Sequence, residues 1–375
     1  MLTVGSSAHN SLSRILEVIG ITRYKEASFF SENSFKLFRV VQWALNVLMI
    51  VSCLNFIFSE SVDDSPDKLQ SLALCTADIQ FLTTQLILIS RQSLVDDLVA
   101  HLRSVYHGIK EIPGSMDILA EGDRQARLFI MSYGVVIFSN VPSSMFFAGI
   151  KMILTGETAY PFPMSIFGLP TAVGWALQML MIANAANILW GFYCVLKTVI
   201  YILGAYSNVM AHMLRERPID VEAKNDRKML KLHCDINSLS LKLVNVYGLI
   251  SFLEVTVASG RCCFVAYHIL LAVQEGDYKN LGVALSTLLT SVAITYVLCS
   301  CGEEISMQSV TIRDGVRDSK WYAVSPPARK TLLPVLLFTQ RPIQFHYRRF
   351  VYFNLETFRN VLKTAYTMTT ALAQV

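Results

Sequence analysis

The sequence predicts an all-α, polytopic membrane protein with seven transmembrane helices, a cytoplasmic N-terminus and an extracellular C-terminus. Three observations predict it. The 375 residues are 53% hydrophobic and only 16% charged, where soluble proteins carry roughly a quarter charged residues. A mean hydropathy of +0.45 spreads the apolar residues beyond any single core, and the length holds several spans of about 20 residues each. Finally, 24 of the 32 basic residues fall in alternate connecting segments, whereas the opposite loops hold only Lys68 and Lys279. A soluble enzyme is excluded on the first two counts, and a net charge of +4 gives nucleic-acid binding no support.

Seven segments are apolar enough to span a bilayer, at 37–58, 69–90, 128–154, 172–203, 243–273, 281–300 and 347–373. Residues 1–36 read as a cytoplasmic segment, because Arg14, Glu17, Arg23, Lys25 and Glu26 break any apolar run that a cleavable signal would need. The first span then acts as a signal anchor. Its basic flank, with those before span three, between spans four and five and before span seven, places the N-terminus in the cytoplasm. An odd number of spans puts Val375 outside. After span two, Leu94, Val95, Leu98, Val99, Leu102, Val105, Tyr106 and Ile109 recur at helical spacing and continue that helix into the cytoplasm as an amphipathic rod. Residues 301–346 form a cytoplasmic segment containing Leu332, Leu333, Leu336 and Phe338, a run too short to cross a bilayer. Two readings fit this run: a helix packed inside its own subunit, or an assembly surface between subunits.

Chemistry-bearing motifs are scarce. No CxxC, HExxH, GxSxG or phosphate-binding glycine loop occurs, so no catalytic residue, metal or cofactor is expected. The eight cysteines sit mostly within spans and read as reduced, packed thiols, with Cys53 and Cys75 at similar depth on adjacent spans. Ionisable residues inside spans are costly and therefore informative. Asp78, Glu254 and Arg261 form the main set, and Glu254 and Arg261, seven residues apart, share a helix face as a candidate ion pair. A pocket in the outer halves of spans two, three, four and six is built from Asp78, Phe81, Ser143, Phe146, Phe147, Met179, Ile182, Leu285 and Leu289. Pro142 loosens span three beside it. Aromatics, Met and a few hydroxyls suit a small apolar ligand with one polar atom.

Span seven is the least apolar. Arg359, Lys363, Thr367, Thr370 and Gln374 follow one another at spacings of three or four, so one face is polar from end to end. Lipid cannot satisfy such a face. It lines a pore, or it forms a seam against other helices of the same subunit. Two cations on it suit a cation path only where they border a wide vestibule or a lateral exit.

The segment Gln340-Arg341-Pro342-Ile343, then Phe350, then Asn354-Leu355-Glu356-Thr357-Phe358-Arg359-Asn360-Val361-Leu362-Lys363-Thr364-Ala365-Tyr366-Thr367 resembles the C-terminal signature of insect odorant receptors, specifically their odour-tuning subunits. The resemblance implies a subunit of a heterotetrameric, odorant-gated, non-selective cation channel, assembled with the odorant co-receptor in the plasma membrane of olfactory sensory neurons. It implies a pocket for a small volatile odorant within 37–300, an anchor for assembly in 301–346, and a pore-lining helix in 347–375 whose gate falls on Ala371 and Gln374. The related gustatory receptors and the co-receptor carry Tyr where Met368 stands here, which removes that ring from the gate. Ala371 is smaller than the usual gate aliphatic and would leave the main constriction to partner subunits. The alternatives are a gustatory-type channel and a metabotropic seven-helix chemoreceptor acting through a G protein. The latter needs the opposite orientation, and neither a DRY-like nor an NPxxY-like motif is present.

Overall fold

The first element is one that a search for apolar runs passes over. Ala8, Leu12, Ile15, Leu16 and Ile19 recur at helical spacing, and in the computed structural model the first four are the buried face of α1 (Ser7–Val18), with Ile19 buried just after it. The structure describes residues 7–24, 30–59, 66–139, 142, 145–146, 153, 171–216, 223–276, 278–319, 321–323 and 326–372. Ser143, Phe147 and Gln374 lie outside the described residues. The chain continues through α2 (Glu32–Ile57), α3 (Pro66–Ser90), α4 (Gln92–Lys110), α5 (Ser115–Phe138), α6 (Thr171–Arg215), α7 (Ala223–Glu275), α8 (Tyr278–Asp318), α9 (Pro326–Thr339), a hairpin of β1 (His346–Tyr347) and β2 (Val351–Tyr352), and α10 (Leu355–Leu372).

Among the described residues, the helical parts Glu32–Ile57, Ser71–Ser90, Val173–Arg215, Arg227–Gln274 and Ala284–Asp318 are long and apolar enough to cross a membrane. The third and seventh expected spans correspond to α5, described only to Phe138, and to α10, which is more polar. Helix α6 occupies the centre, packed against α1, α2, α5, α7 and α8. Every residue from 191 to 200 is buried, Lys197 included, whose ammonium pairs with Glu304 of α8.

Three helices run well past their expected ends. Helix α6 continues beyond 203 to Arg215, α7 starts at Ala223 rather than 243, and α8 passes unbroken through 300 to Asp318. The expected boundary between 300 and 301 therefore falls inside a helix. The bundle simply extends beyond its apolar section, where polar residues replace the lipid-facing ones. The rod after span two is α4, separated from α3 by a break at Arg91 (φ −106°, ψ 20°). Its expected stripe is buried except for Leu94, which is exposed.

Two glycines seat the hairpin that leads into α10. A side chain at Gly248 of α7 would meet the carbonyl of His346, and one at Gly302 of α8 would fall on the carbonyl oxygen of Phe353. Backbone therefore lies directly on both helices. The turn places Arg348 and Arg349 at φ 47° and 58°, a region non-glycine residues seldom adopt. The Phe350 N–H donates to Tyr347 O at 2.8 Å and closes the turn.

Candidate ligand cavity and polar helix face

A cavity of about 140 Å³ lies among α3, α6, α7 and α8, with Ile137 of α5 and Met49 of α2 at its margins. Small residues create the space: Ala73 and Ala77 on α3, Ala185 and Ala186 on α6, and Ala284 on α8. The lining belongs to the first halves of α3, α6 and α8 and the last part of α7. It is thus at the end of the bundle away from the long helical extensions.

Buried charge concentrates beside it. Arg261 Nη2 donates to Glu254 Oε1 at 2.9 Å, Arg261 Nη1 donates to Gln80 Oε1 at 3.2 Å, and the Gln80 amide donates to the other oxygen of Glu254. The ion pair anticipated from the seven-residue spacing is therefore made, and Gln80 closes it into a three-membered network. Asp78, on the same helix as Gln80, stands outside. It is 1% exposed, lines the cavity, and its Oδ2 has no hydrogen-bond partner among the described residues. The Thr290 and Ser291 hydroxyls of α8, also in the lining, donate to Ser286 O and Thr287 O, each at 2.9 Å.

Of the sequence-predicted pocket residues, Asp78, Phe81 and Ile182 line this cavity. Met179 packs just beyond, in a cluster with Met49, Cys53, Cys75, Met181 and Ile182. Cys53 and Cys75 share that cluster as free thiols. Phe146 is exposed, and Leu285 and Leu289 are 44% and 70% exposed, on the far side of α8. The lining face of α8 is instead Ala284, Thr287, Ser291 and Ile294. Span five, omitted from the expected pocket, supplies Arg261, Phe264, Val265 and His268. Their spacing of three, one and three continues the face already marked by Arg261, a signal available in the sequence.

Helix α10 packs on α7 and α8 through one face only. Val361, Ala365 and Thr369 are buried, whereas Arg359, Lys363, Thr367 and Ala371 are exposed and Thr370 is half-buried. The polar stripe is turned away from its own subunit. Its threonine hydroxyls donate to their own helix, Thr367 to Lys363 O and Thr370 to Thr367 O, both at 2.9 Å. Their outward lone pairs remain acceptors. Helix α8 joins the two features: Ile294 lines the cavity, and Tyr296 meets Phe358 of α10 edge-on at 5.5 Å.

Helix α9 is two-sided. Leu332 and Val335 are buried, Leu336 is half-buried, and Leu333, Leu337 and Phe338 are exposed. Both readings of the apolar run thus find a face.

The family model described as 7tm Odorant receptor matches residues 64–366. Odorant receptor 49a of Drosophila melanogaster is 26% identical over 198 residues, half of this chain and 47% of that protein. Odorant receptor 85f of the same fly is 20% identical over 258 residues, or 66% and 65% of the two chains. Odorant receptor 2a is 27% identical over 110 residues, 28% of its length. The chain therefore spans less than two thirds of each of these relatives. The solved structure of the insect olfactory receptor OR5 from Machilis hrabei in complex with eugenol superimposes with a TM-score of 0.78 at 15% identity, covering 98% of this chain and 97% of that one. With the family model reaching from before α3 to within α10, the cavity lining apart from Met49 and the start of the polar face, Arg359 and Lys363, fall inside the match: the chain belongs to the 7tm odorant receptor family.

Proposed function

We propose that this odorant receptor is the odour-tuning subunit of a heteromeric, odorant-gated, non-selective cation channel, assembled with the odorant co-receptor in the plasma membrane of olfactory sensory neurons. The N-terminus is cytoplasmic and the C-terminus extracellular. The reading rests on α10: its stripe of Arg359, Lys363, Thr367 and Thr370 faces away from the subunit that carries it. In a membrane such a face requires water or another subunit, not lipid. Acceptor lone pairs on the threonines suit a hydrated cation path, and the exposed Leu333 and Phe338 suit an assembly contact. Ala371 is too small to close the path alone. The odorant occupies the cavity, as the eugenol complex of OR5 supports by fold likeness. Ligand favours the state in which α8, tilting at Ile294, carries Tyr296 and Phe358 outward, and each tenfold difference in affinity between states contributes about 1.4 kcal/mol to opening.

Coexpression with the co-receptor in cells dialysed free of nucleotide should give odour-evoked cation current within milliseconds. Current that requires a G protein and second messenger would overturn the channel reading. Epitope tags on both termini of intact cells should label at the C-terminus alone.

A further inference from the structure

We infer that the cavity takes a small ligand bearing a hydroxyl group, a volatile alcohol or phenol, whose O–H donates to Oδ2 of Asp78. The inference rests on the odorant-receptor reading of this cavity and deepens it by naming the ligand class. Asp78 is buried to 1% exposure, lines the cavity, and keeps an oxygen with no partner among the described residues. Burying such an acceptor unpaired is costly, more so for an ionised group. Nothing architectural is gained in return, because the neighbouring ion pair is closed by Gln80 without Asp78. Arg261 also reaches the cavity wall, but its Nη1 and Nη2 are engaged, leaving Nε–H as its one buried atom without a partner. Among the described residues, Asp78 Oδ2 is thus an unmet acceptor and Arg261 Nε an unmet donor in this wall, which also holds the His268 imidazole. Alkanes answer neither, and ketones, esters and ethers can answer only the donor. A hydroxyl is the smallest group that can answer both. The back-bonded hydroxyl of Ser291 adds an acceptor to the same wall. The rest of the lining is mostly alanine, leucine, isoleucine and phenylalanine with Met49 and Val265, beside His268, Ser286 and Thr287, which suits an unbranched or aromatic hydrocarbon body.

The test uses the full chain coexpressed with the co-receptor and a panel of alcohols and phenols, each paired with its methyl ether, which keeps the oxygen and loses the donor. The strongest agonists should be hydroxyl compounds, about tenfold or more potent than their ethers. Asp78→Leu removes the unmet acceptor without leaving a polar atom buried. It should bring each alcohol down to the potency of its ether while ether responses persist. Those ether responses, with surface labelling, establish that the variant folds. Asp78→Asn retains an acceptor and should keep part of the preference. Ethers as potent as their alcohols, or an alcohol preference that survives Asp78→Leu, would overturn the inference. If no member of a broad odour panel evoked current at all, the channel reading itself would fail instead.

Discussion

Two sets of polar side chains sit in the apolar part of this bundle, and they behave differently. At the end of α1, Val18 O accepts from Gln42 Nε2 and from Asn187 Nδ2, each at 3.1 Å, and Ile19 O accepts from Gln85 Nε2 at 3.0 Å. Three spans thus supply amides to carbonyls that a helix C-terminus leaves without intrahelical partners. At the other end of the bundle, Glu254, Arg261 and Gln80 satisfy one another, and Asp78 is left facing a cavity. Amides that cap backbone hold architecture together. A carboxyl group with unused capacity beside empty volume has a different use, and that contrast separates structural polarity from ligand-binding polarity in a chain where both lie in spans.

The contrast is broken most severely at the ion pair. Arg261→Met leaves the Glu254 carboxylate buried with only Gln80 as donor, which should cost about 3–5 kcal/mol. Adding Glu254→Leu should restore most of that loss, since an apolar pair of similar volume escapes the desolvation penalty. Gln42→Leu, at the other site, removes one of two donors to Val18 O and leaves the carbonyl partly served, so about 1–3 kcal/mol is expected at most. Thermal unfolding of the detergent-purified protein ranks the three. A Gln42→Leu penalty larger than that of Arg261→Met would mean that docking of α1, and not the charged network, is the main polar support of the fold.

Parts of both regions were legible in the sequence. Asp78 stood out because ionisable residues in spans are rare, and the α4 stripe and the α10 polar face were legible because each is strongly amphipathic. Helix α1 was missed for the opposite reason: its apolar face is a stripe interrupted by Arg14 and Glu17, invisible to a search for continuous runs. The face of span six was misread. Leu285 and Leu289 were chosen for their apolar side chains, although Ser286, Thr287, Thr290 and Ser291, at helical spacing, mark another face of the same helix. The structure turns the small residues and hydroxyls toward the cavity and leaves the leucines on the outside. Likewise Gln42, Gln85 and Asn187 read as isolated amides until α1 is in place.

A subtler test lies on the α1 side. His9, buried against Tyr106 with ring centroids 4.9 Å apart, is held down to about 4 by burial, with Arg103 and His107 adding to the effect. Its folded value is below the unfolded one of about 6.5. The unfolded chain therefore takes up the proton first as pH falls. Stability associated with neutral His9 is fully present above pH 6.5 and drains away between there and about 4. Replacing His9 by Phe should flatten, without abolishing, the fall in Tm across that window. An unchanged slope would place the acid sensitivity elsewhere.

The smallest effect on stability and the most specific effect on function are expected together, at α10. Lys363 and Thr367 are exposed, and among the described residues the one hydrogen bond they share is the Thr367 hydroxyl bond to Lys363 O. Lys363→Gln and Thr367→Val should therefore stay within about 0.5 kcal/mol of the parent. Their consequences belong to whatever the stripe faces in the assembly. Removing the Lys363 cation from a cation path lowers the local repulsion, so single-channel conductance and divalent permeability should rise. Removing the Thr367 oxygen takes one acceptor from the wall, so conductance should fall. Odour potency should hold in both variants, because neither residue is near Asp78 or the α3–α8 cavity. If conductance were unmoved while recovery of the complex with co-receptor dropped, the stripe would be a contact between subunits, and the polar face of α10 would be architectural like the amides around α1.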